Sequence, residues 1–437
     1  MRRVPRTSTL VPGPDRDEAP ANLWRNADFL KFWSGETVSL VGSQVTGLAL
    51  PLTALYTFGA TDEQIGLLRF LQLAPYLGFA LVFGVLVDRA RRRHLMLGAN
   101  LVRMVLVALV PVLHWLGVLD MTVLLALACA IGVASVLFDV SWMSYVPTLV
   151  RDPRHYVEAS AKMGASSSAA EVAGPGLAGM LVSALTAPVA LVVDAFTYLM
   201  SIGSLLLVRA REPRPAPTPR RHMSRELSDG LRWVLTNPIL RWLAITGFCC
   251  NFSTMTVWTL FILYGTRDLL LDPAVLGGVL AAASIGGLVG AVVSRRLIER
   301  IPVGLLYLAA HLAVFLGPTL IAVAAGPRPV VVGLIALSFF ISYLGLGVGG
   351  VLVISLRQTS TPQSMMGRMT AVFRTLLFGG GALGGMSAGL LAGAAGAGNA
   401  LAMTAAGSAA LMAGVAASPV IALRGIPEPT AETKGRG

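Results

Sequence analysis

The chain has 437 residues, of which 55% are hydrophobic and 13% are charged, and its formal net charge is +12. Soluble domains carry about 25% charged residues. This composition, with a mean hydropathy of +0.73, therefore excludes an ordinary soluble protein and predicts a chain embedded in lipid. The basic residues stand between apolar runs rather than on one face of a domain, which argues against nucleic-acid binding.

Long apolar runs alternate with short polar turns along almost the whole chain. A bilayer core of about 30 Å needs roughly 20 apolar residues per helix. We predict an all-α integral membrane protein with twelve transmembrane helices in two pseudo-symmetric six-helix bundles. The predicted spans 1 to 12 cover, in order, residues 28–58, 63–87, 95–118, 121–146, 160–185, 188–209, 239–265, 274–294, 302–325, 329–356, 367–392 and 397–423.

One Pro- and Arg-rich segment separates the two sets of six spans. Within it, residues 225–235 place apolar side chains at helical spacing, which predicts either a helix on the inner membrane surface or an extension of span 7. The predicted organisation is a disordered cytoplasmic tail (1–25), a first bundle (26–209), a linker (210–238), a second bundle (239–424) and a cytoplasmic tail (425–437).

Basic residues are concentrated in alternate turns, and this pattern sets the orientation. The N-terminal tail, the linker and the turns after spans 2, 4, 8 and 10 are basic. The intervening turns are nearly free of basic residues, with Arg267 and Arg328 as exceptions. Both termini and the linker are therefore expected on the cytoplasmic side.

A short motif recurs at the end of the second span of each set. Gly84-Val-Leu-Val-Asp88-Arg89 has an echo, 206 residues later, in Gly290-Ala-Val-Val-Ser294-Arg295. Internal symmetry of this kind is typical of transporters built from repeats, with the substrate site near the midplane between the halves. The acid is replaced by Ser294 in the second copy, so the two halves are not equivalent.

The turn after span 2 resembles the characteristic turn of the major facilitator superfamily, with Gly84, Asp88, Arg89, Arg92 and Arg93 matching, although Arg91 stands where a glycine is usual. The chain also resembles the macrolide-efflux and enterobactin-exporter-like branch of that superfamily. The segments that carry this likeness are Phe32 to Thr46, Tyr145 to Val150, Asp194 to Leu199 and Gly367 to Arg374.

The resemblance implies a substrate cavity between the halves, lined by spans 1, 4, 7 and 10. Asn251, Phe252, Trp258 and Phe261 on span 7 are the predicted lining residues, although packing is an alternative role for Trp258.

The turn itself is interpreted as a conformational gate made by Gly84, Asp88, Arg89, Arg92 and Arg93. We expect Asp88 to act as a latch. Its expected partners are Arg89 or Arg92 and the N-terminal end of span 11 near Arg368 and Thr370, where a helix dipole favours a carboxylate.

Two glycine-rich segments predict close contacts between helices. Gly174, Pro175 and Gly179 in span 5 resemble the glycine-proline motif of the superfamily's exporters, with Ala178 at a usual glycine position; simple packing is the alternative. The run from Phe378 to Gly385 in span 11 follows no strand, so we interpret it as a packing surface rather than a phosphate loop.

Ionisable residues inside spans are costly and therefore indicate function. The proton-coupling candidates are Glu36, Asp139, Glu171, Arg103 and Asp194, all in the first half, and Arg69 is also embedded. We expect Glu36, Asp139 or Glu171 to carry the coupling proton and Arg103 to pair with one of them, since an adjacent arginine changes how readily a carboxyl group holds its proton. Two alternatives are a purely structural Arg103–Asp139 pair and a Glu36 side chain that reaches water.

Sequence patterns for catalysis or cofactors are missing. Cys129, Cys249 and Cys250 lie in apolar runs without metal-ligand spacing, and no nucleotide-binding or Ser/His/Asp pattern occurs. We therefore expect no enzymatic activity, no metal and no cofactor, and a proton gradient as the energy source.

Together these features predict a secondary transporter of the bacterial cytoplasmic membrane. It would export a small, largely apolar or amphipathic compound, such as a drug, a macrolide-like or a siderophore-like molecule, in exchange for protons. We expect a monomer whose partners are this substrate, protons and membrane lipids. An importer or lipid flippase on the same fold, or a membrane sensor without transport, remains an alternative.

Overall fold

The computed structural model describes residues 23–150, 155–210, 212, 223–362 and 365–427. The predicted tails, apart from residues at their inner edges, and most of the linker before residue 223 lie outside these residues. The described part is α-helical, with two short 3-10 turns. The helices are α1 (Ala27–Phe58), α2 (Asp62–Leu73), α3 (Pro75–Arg89), α4 (Arg92–Trp115), α5 (Met121–Leu149), α6 (Tyr156–Leu185), α7 (Ala187–Leu207), α8 (Met223–Thr236), α9 (Pro238–Arg267), α10 (Pro273–Arg300), α11 (Val303–Leu316), α12 (Thr319–Ala322), α13 (Arg328–Thr359), α14 (Met366–Ala395) and α15 (Ala397–Ala416).

Twelve spans are confirmed within the described residues. Eleven segments are long and apolar enough to cross a membrane alone, one of them formed by α11 and α12 together. The twelfth is α2 followed by α3, which Pro75 separates because proline lacks the backbone N–H that a continuous helix needs. The sequence pattern, which is apolar on both sides of Pro75, did not reveal this break.

The segment before span 7 forms a helix of its own rather than an extension. Asn237 is extended (φ −84°, ψ 116°), and its side chain accepts hydrogen bonds from the first backbone N–H groups of α9. This cap ends α8 and starts α9. Gly230 of α8 packs directly on the backbone of Arg368, near the start of α14.

Glycines set the closest helix contacts in both halves, because a missing side chain lets backbones approach. Successive glycines of the run in α14 face two neighbours. Gly380 and Gly384 lie against the backbone of Phe248 and Phe252 in α9, whereas Gly385 lies against Arg69 of α2. The predicted packing role of this run is therefore confirmed.

In the first half, α1 crosses α7 at Gly42. A Cβ added at Gly42 would lie 2.8 Å from the Cβ of Thr197 and would also meet the carboxylate of Asp194. We predict that Gly42→Ala destabilises the purified protein by about 1–3 kcal/mol because it overpacks this crossing, lowering the midpoint of thermal unfolding in detergent.

The matched control is Gly98→Ala in α4, where an added Cβ has no atom within 4 Å. This change should leave the midpoint unchanged or slightly raise it, because alanine favours the helix. Equal effects of the two substitutions would contradict the packing account.

Candidate functional site

The two six-helix halves meet along two seams, α2 with α14 and α6 with α10. We name the end of the bundle that holds Arg89 and Arg300 the basic end, and the other end the opposite end. Toward the opposite end both seams are glycine contacts. A Cβ added at Gly66 would lie 2.8 Å from the Cα of Gly389, and a Cβ added at Gly179 would lie 3.0 Å from the Cα of Gly277. The halves are therefore in backbone contact there.

An ion pair between the halves reinforces this closure. Arg267, at the end of α9, lies 2.6 Å from an Asp62 oxygen at the start of α2, and it also donates a short hydrogen bond to the carbonyl of Ala60. On the other seam, Ser183 donates to Asp272 at 2.9 Å. Arg267 interrupted the regular charge pattern of the sequence, and this irregularity was the available signal for its role.

A cavity of about 670 Å³ lies between the halves. Its walls come from α1, α2, α6, α9, α10 and α13, which correspond to spans 1, 2, 5, 7, 8 and 10. The prediction of spans 1, 4, 7 and 10 was thus wrong for span 4, which contributes none of the described lining residues. Spans 2, 5 and 8 line the cavity because their seams form its sides.

The cavity reaches closer to the basic end than to the opposite end. Its lining residue Ile354 precedes Thr359, the last residue of α13, by five residues, which is about 8 Å along a helix. Toward the opposite end, the glycine contacts and the Asp62–Arg267 pair lie beyond the lining.

Arg69 is fixed against the aromatic wall of the cavity. Its guanidinium lies 3.7 Å from the ring centroid of Trp258, across the interface between the halves. It donates to the carbonyl of Gly47 at 2.8 Å and to Gln72 at 2.9 Å. The cation is thereby held by an amide, a carbonyl and a π-face.

Glu171 places a carboxylate in the same cavity. The side chain is exposed, and Ser167, one turn earlier in α6, donates to it at 3.3 Å. No lysine or arginine nitrogen of the described residues lies within 4.0 Å of it.

The four predicted lining residues of span 7 differ in position. Trp258 lines the cavity. Phe261 is fully buried and packs edge-on against Phe339 in the core, Asn251 donates to Gly247 of its own helix, and Phe252 packs at the α9–α14 crossing. Those three are outside the described lining. The 3.6-residue period turns Phe252 away from the face that carries Trp258. Asn251 shares that face but lies one turn nearer the basic end than Met255, the other lining residue of α9.

The glycine-proline motif of span 5 lies on the seam between α6 and α10. Gly174 packs against Gln44 of α1, Pro175 lines the cavity, and Gly179 contacts Gly277 and Pro273 of the other half. The motif thus places a proline inside α6 beside a close crossing, which supports the packing role; the role as an exporter motif stays a prediction.

Asp139 contacts the second half rather than Arg103. Tyr76 donates to its Oδ2 at 2.6 Å and Arg374 of α14 lies 3.3 Å from the same oxygen. The ring of Tyr76 stacks on Phe378 at 3.8 Å. The alternative of an Arg103–Asp139 structural pair was therefore wrong, since the arginine that reaches Asp139 comes from the other half.

Arg103 is buried among neutral groups within the first half. It donates to Tyr198 at 2.8 Å, to Ser43 at 3.2 Å and to Asn100 at 3.3 Å. The expected ion pair with an acid is not formed among the described residues, because these neutral acceptors engage the two terminal nitrogens of Arg103. Its Nε has no partner among those residues.

Glu36 and Asp194 are both buried in this half but differ in their partners. Asp194 accepts hydrogen bonds from Thr197 of its own helix and from Thr46, and the second of these ties α7 to α1. The Oε2 atom of Glu36 has no hydrogen-bond partner among the described residues, and the side chain is 6% exposed. Its location deep in the bundle excludes the alternative that it reaches water in this conformation.

The gate turn after span 2 is partly described. The backbone N–H groups of Arg92 and Arg93 donate to Glu212 at 2.9 and 3.2 Å, so a residue of the linker caps α4, where the helix dipole favours an anion. Arg89 is exposed and an added Cβ at Gly84 would meet no atom within 4 Å. The side chain of Asp88 lies outside the described part, and its role as a latch stays a prediction.

Two helical bundles around a shared central cavity, closed at one end by contacts between the bundles, define a polytopic membrane transport protein. The model of the Major Facilitator Superfamily matches residues 32–385, and the chain belongs to this family. The resemblance noted in the sequence is thereby confirmed.

Several relatives and solved structures are similar to this chain. The multidrug efflux pump Tap of Mycolicibacterium fortuitum is 30% identical over 374 residues, covering 81% of this chain and 87% of Tap. The enterobactin exporter EntS of Escherichia coli O1:K1 / APEC is 26% identical over 361 residues, covering 79% and 81%.

Two solved structures share the fold. The nucleoside transporter NupG has a TM-score of 0.73 at 10% identity and covers 90% of this chain and 98% of its own. A bacterial homologue of the human lysosomal transporter Spinster, inward-facing and unoccupied, has a TM-score of 0.68 at 15% identity and covers 90% and 96%.

We predict that the Asp62–Arg267 pair limits access to the cavity from the opposite end. In a background with the three cysteines replaced by alanine, Ser284→Cys places a thiol in the cavity wall. Asp62→Asn or Arg267→Gln should accelerate its reaction with an impermeant maleimide applied at the opposite end by about two- to fivefold, as expected for a partly exposed ion pair.

Arg328→Gln is the matched control, because Arg328 lies at the same end but donates to Leu270 within its own half. Its labelling rate should equal that of the parent. If neither Asp62→Asn nor Arg267→Gln exceeds this control, the ion pair does not hold the opposite end closed.

Proposed function

We propose that the protein exports a small amphipathic compound by alternating access, driven by protons. The observation that carries this proposal is the cavity between the halves, whose walls are mainly apolar but include Arg69 and Glu171. Cavities of several hundred cubic ångströms with few polar groups are typical of sites for drug-sized ligands. The similarity to Tap and EntS, named a multidrug efflux pump and an enterobactin exporter, supports export.

The charge pattern supports an orientation with the basic end in the cytoplasm of a bacterial cell. Arg89, Arg209 and Arg300 lie at this end, and Arg267 and Arg328 at the opposite end are engaged with protein oxygens. In this orientation the conformation is closed toward the outside, and substrate enters from the cytoplasmic side. One chain encloses the whole cavity, so we expect a monomer to be sufficient.

Glu36 and Arg103 support proton coupling. A buried carboxyl group with an oxygen that lacks a hydrogen-bond partner, such as Oε2 of Glu36, is stable when the group is protonated or when a cation approaches it. In this conformation the cation nearby in the same half, Arg103, is held by Tyr198 and Ser43. We propose that Glu36 carries the proton here and loses it when Arg103 moves toward it in the outward-open state.

Transport in vesicles tests the proposed direction and energy source. Everted vesicles that contain the protein should accumulate a compound from a panel of macrolides, siderophores and dyes when the interior is acidic. An uncoupler should abolish the accumulation, since no ATP site is expected. Accumulation only in right-side-out vesicles, or uptake insensitive to the uncoupler, would contradict proton-driven export.

Glu36→Gln should separate proton coupling from substrate movement, because glutamine resembles the protonated carboxyl but cannot release a proton. We predict at least tenfold slower proton-driven accumulation in proteoliposomes, with exchange of substrate at equal concentrations retained. The control is Glu158→Gln, since Glu158 pairs with Lys162 at 3.3 Å near the basic end and should not affect coupling. Unchanged accumulation by the Glu36 variant would exclude it as the coupling acid.

A further inference from the structure

Among the described residues that line the cavity, Glu171 carries a carboxylate without a counter-ion. It is exposed to the cavity, Ser167 donates to it at 3.3 Å, and no cationic nitrogen of the described residues lies within 4.0 Å. By contrast, Asp62 and Asp139 each have an arginine partner from the other half. Glu171 therefore differs from the acids that hold the halves together.

Arg69 does not fill this role, although it lines the same cavity. Its guanidinium is directed to the carbonyl of Gly47, to Gln72 and to the face of Trp258. These contacts hold the cation on the α1 and α9 walls, whereas Glu171 extends from α6. The cavity thus has a fixed, engaged cation and a carboxylate with unused acceptor capacity.

Position on the helix also separates Glu171 from the interface contacts. Pro175, Gly179 and Ser183 of α6 contact α10 in the part nearer the opposite end. Glu171 precedes Pro175 by one turn, on the side of the basic end, where it faces the cavity instead of a partner helix. Its carboxylate is therefore positioned to meet a molecule that enters from the basic end.

A carboxylate among apolar walls strongly favours a cationic partner, because charges attract more strongly there than in water. Leu288, Met255 and Pro175 provide apolar surface, and the ring of Tyr343 adds an aromatic wall that suits a cation's apolar substituents. A ligand that carries a positive charge next to an apolar body matches both features.

We propose that Glu171 binds the cationic group of the substrate, so that the cavity selects amphipathic amines and onium compounds over neutral or anionic ones. This inference rests on the proposed export function and names its substrate class. It also assigns Glu171 to substrate binding and leaves proton coupling to Glu36.

The test uses the full-length protein in proteoliposomes with two probes, tetraphenylphosphonium, a permanent cation, and chloramphenicol, a neutral compound. Glu171→Gln removes the charge at nearly constant size. It should raise the half-saturating concentration for tetraphenylphosphonium transport at least tenfold and change that for chloramphenicol by less than twofold. Glu158→Gln, on the same helix, should change neither value.

Binding is measured separately by the shift in unfolding temperature that tetraphenylphosphonium produces in the purified protein. The shift should be present in the parent and in Glu158→Gln, and lost in Glu171→Gln. Because each variant is compared with itself without ligand, a change in its basal stability does not affect this readout.

Five outcomes would overturn the proposal. If Glu171→Gln reduced the transport of both probes equally, Glu171 would be a coupling residue. If it left the transport of both unchanged, Glu171 would be excluded from the site. Export of chloramphenicol but not of the cation by the parent would refute the substrate class and leave export standing, whereas export of neither would contradict the proposed function as well. Movement of a labelled aminophospholipid without transport of the cation would assign the site to a lipid amine.

Discussion

The arrangement of this protein depends on the close approach of its two halves at glycines. Gly66 with Gly389 and Gly179 with Gly277 bring backbones into contact along both seams near the opposite end. Side chains there would hold the helices apart, whereas on the basic-end side of these glycines residues of α2, α6 and α10 line the cavity. The volume for substrate and the closure of one end are thus two consequences of where the glycines occur.

Ion pairs reinforce the contact between the halves, which depends mainly on close packing. Asp62 with Arg267 and Asp139 with Arg374 join the halves at two levels, and both pairs are partly exposed, so each can open without leaving a fully buried charge. Within the first half, Asp194 and the terminal nitrogens of Arg103 are bonded to neutral groups, while the Oε2 atom of Glu36 has no partner among the described residues. Charged residues therefore have different roles in the two places. The ion pairs between the halves stabilise one conformation of the protein, whereas Glu36 inside the first half is available to bind a proton.

Much of the fold followed from the sequence because the bilayer imposes length and polarity on every span. The predicted fourth span, 121–146, compares with Met121–Leu149 in the structure. The partners of embedded charges did not follow, since Asp139 and Arg374 are 235 residues apart and meet only through the packing of the halves. The sequence alone showed that Arg267 is unusual and that Glu171 lies within a span. The ion pair of Arg267 with Asp62 and the exposure of the Glu171 carboxylate to the cavity depend on how the halves pack, so they could not be predicted from the sequence.

Alternating access around the cavity is tested most directly by distances at both ends of one seam. Spin labels at Ala184 and Val275 report the opposite end of α6 and α10, and labels at Ala161 and Arg296 report the basic end. When a transported compound and a proton gradient are applied, the first distance should increase while the second decreases in the same population. Two distances that rise together, or a basic-end distance that stays constant while the opposite end opens, would contradict the account.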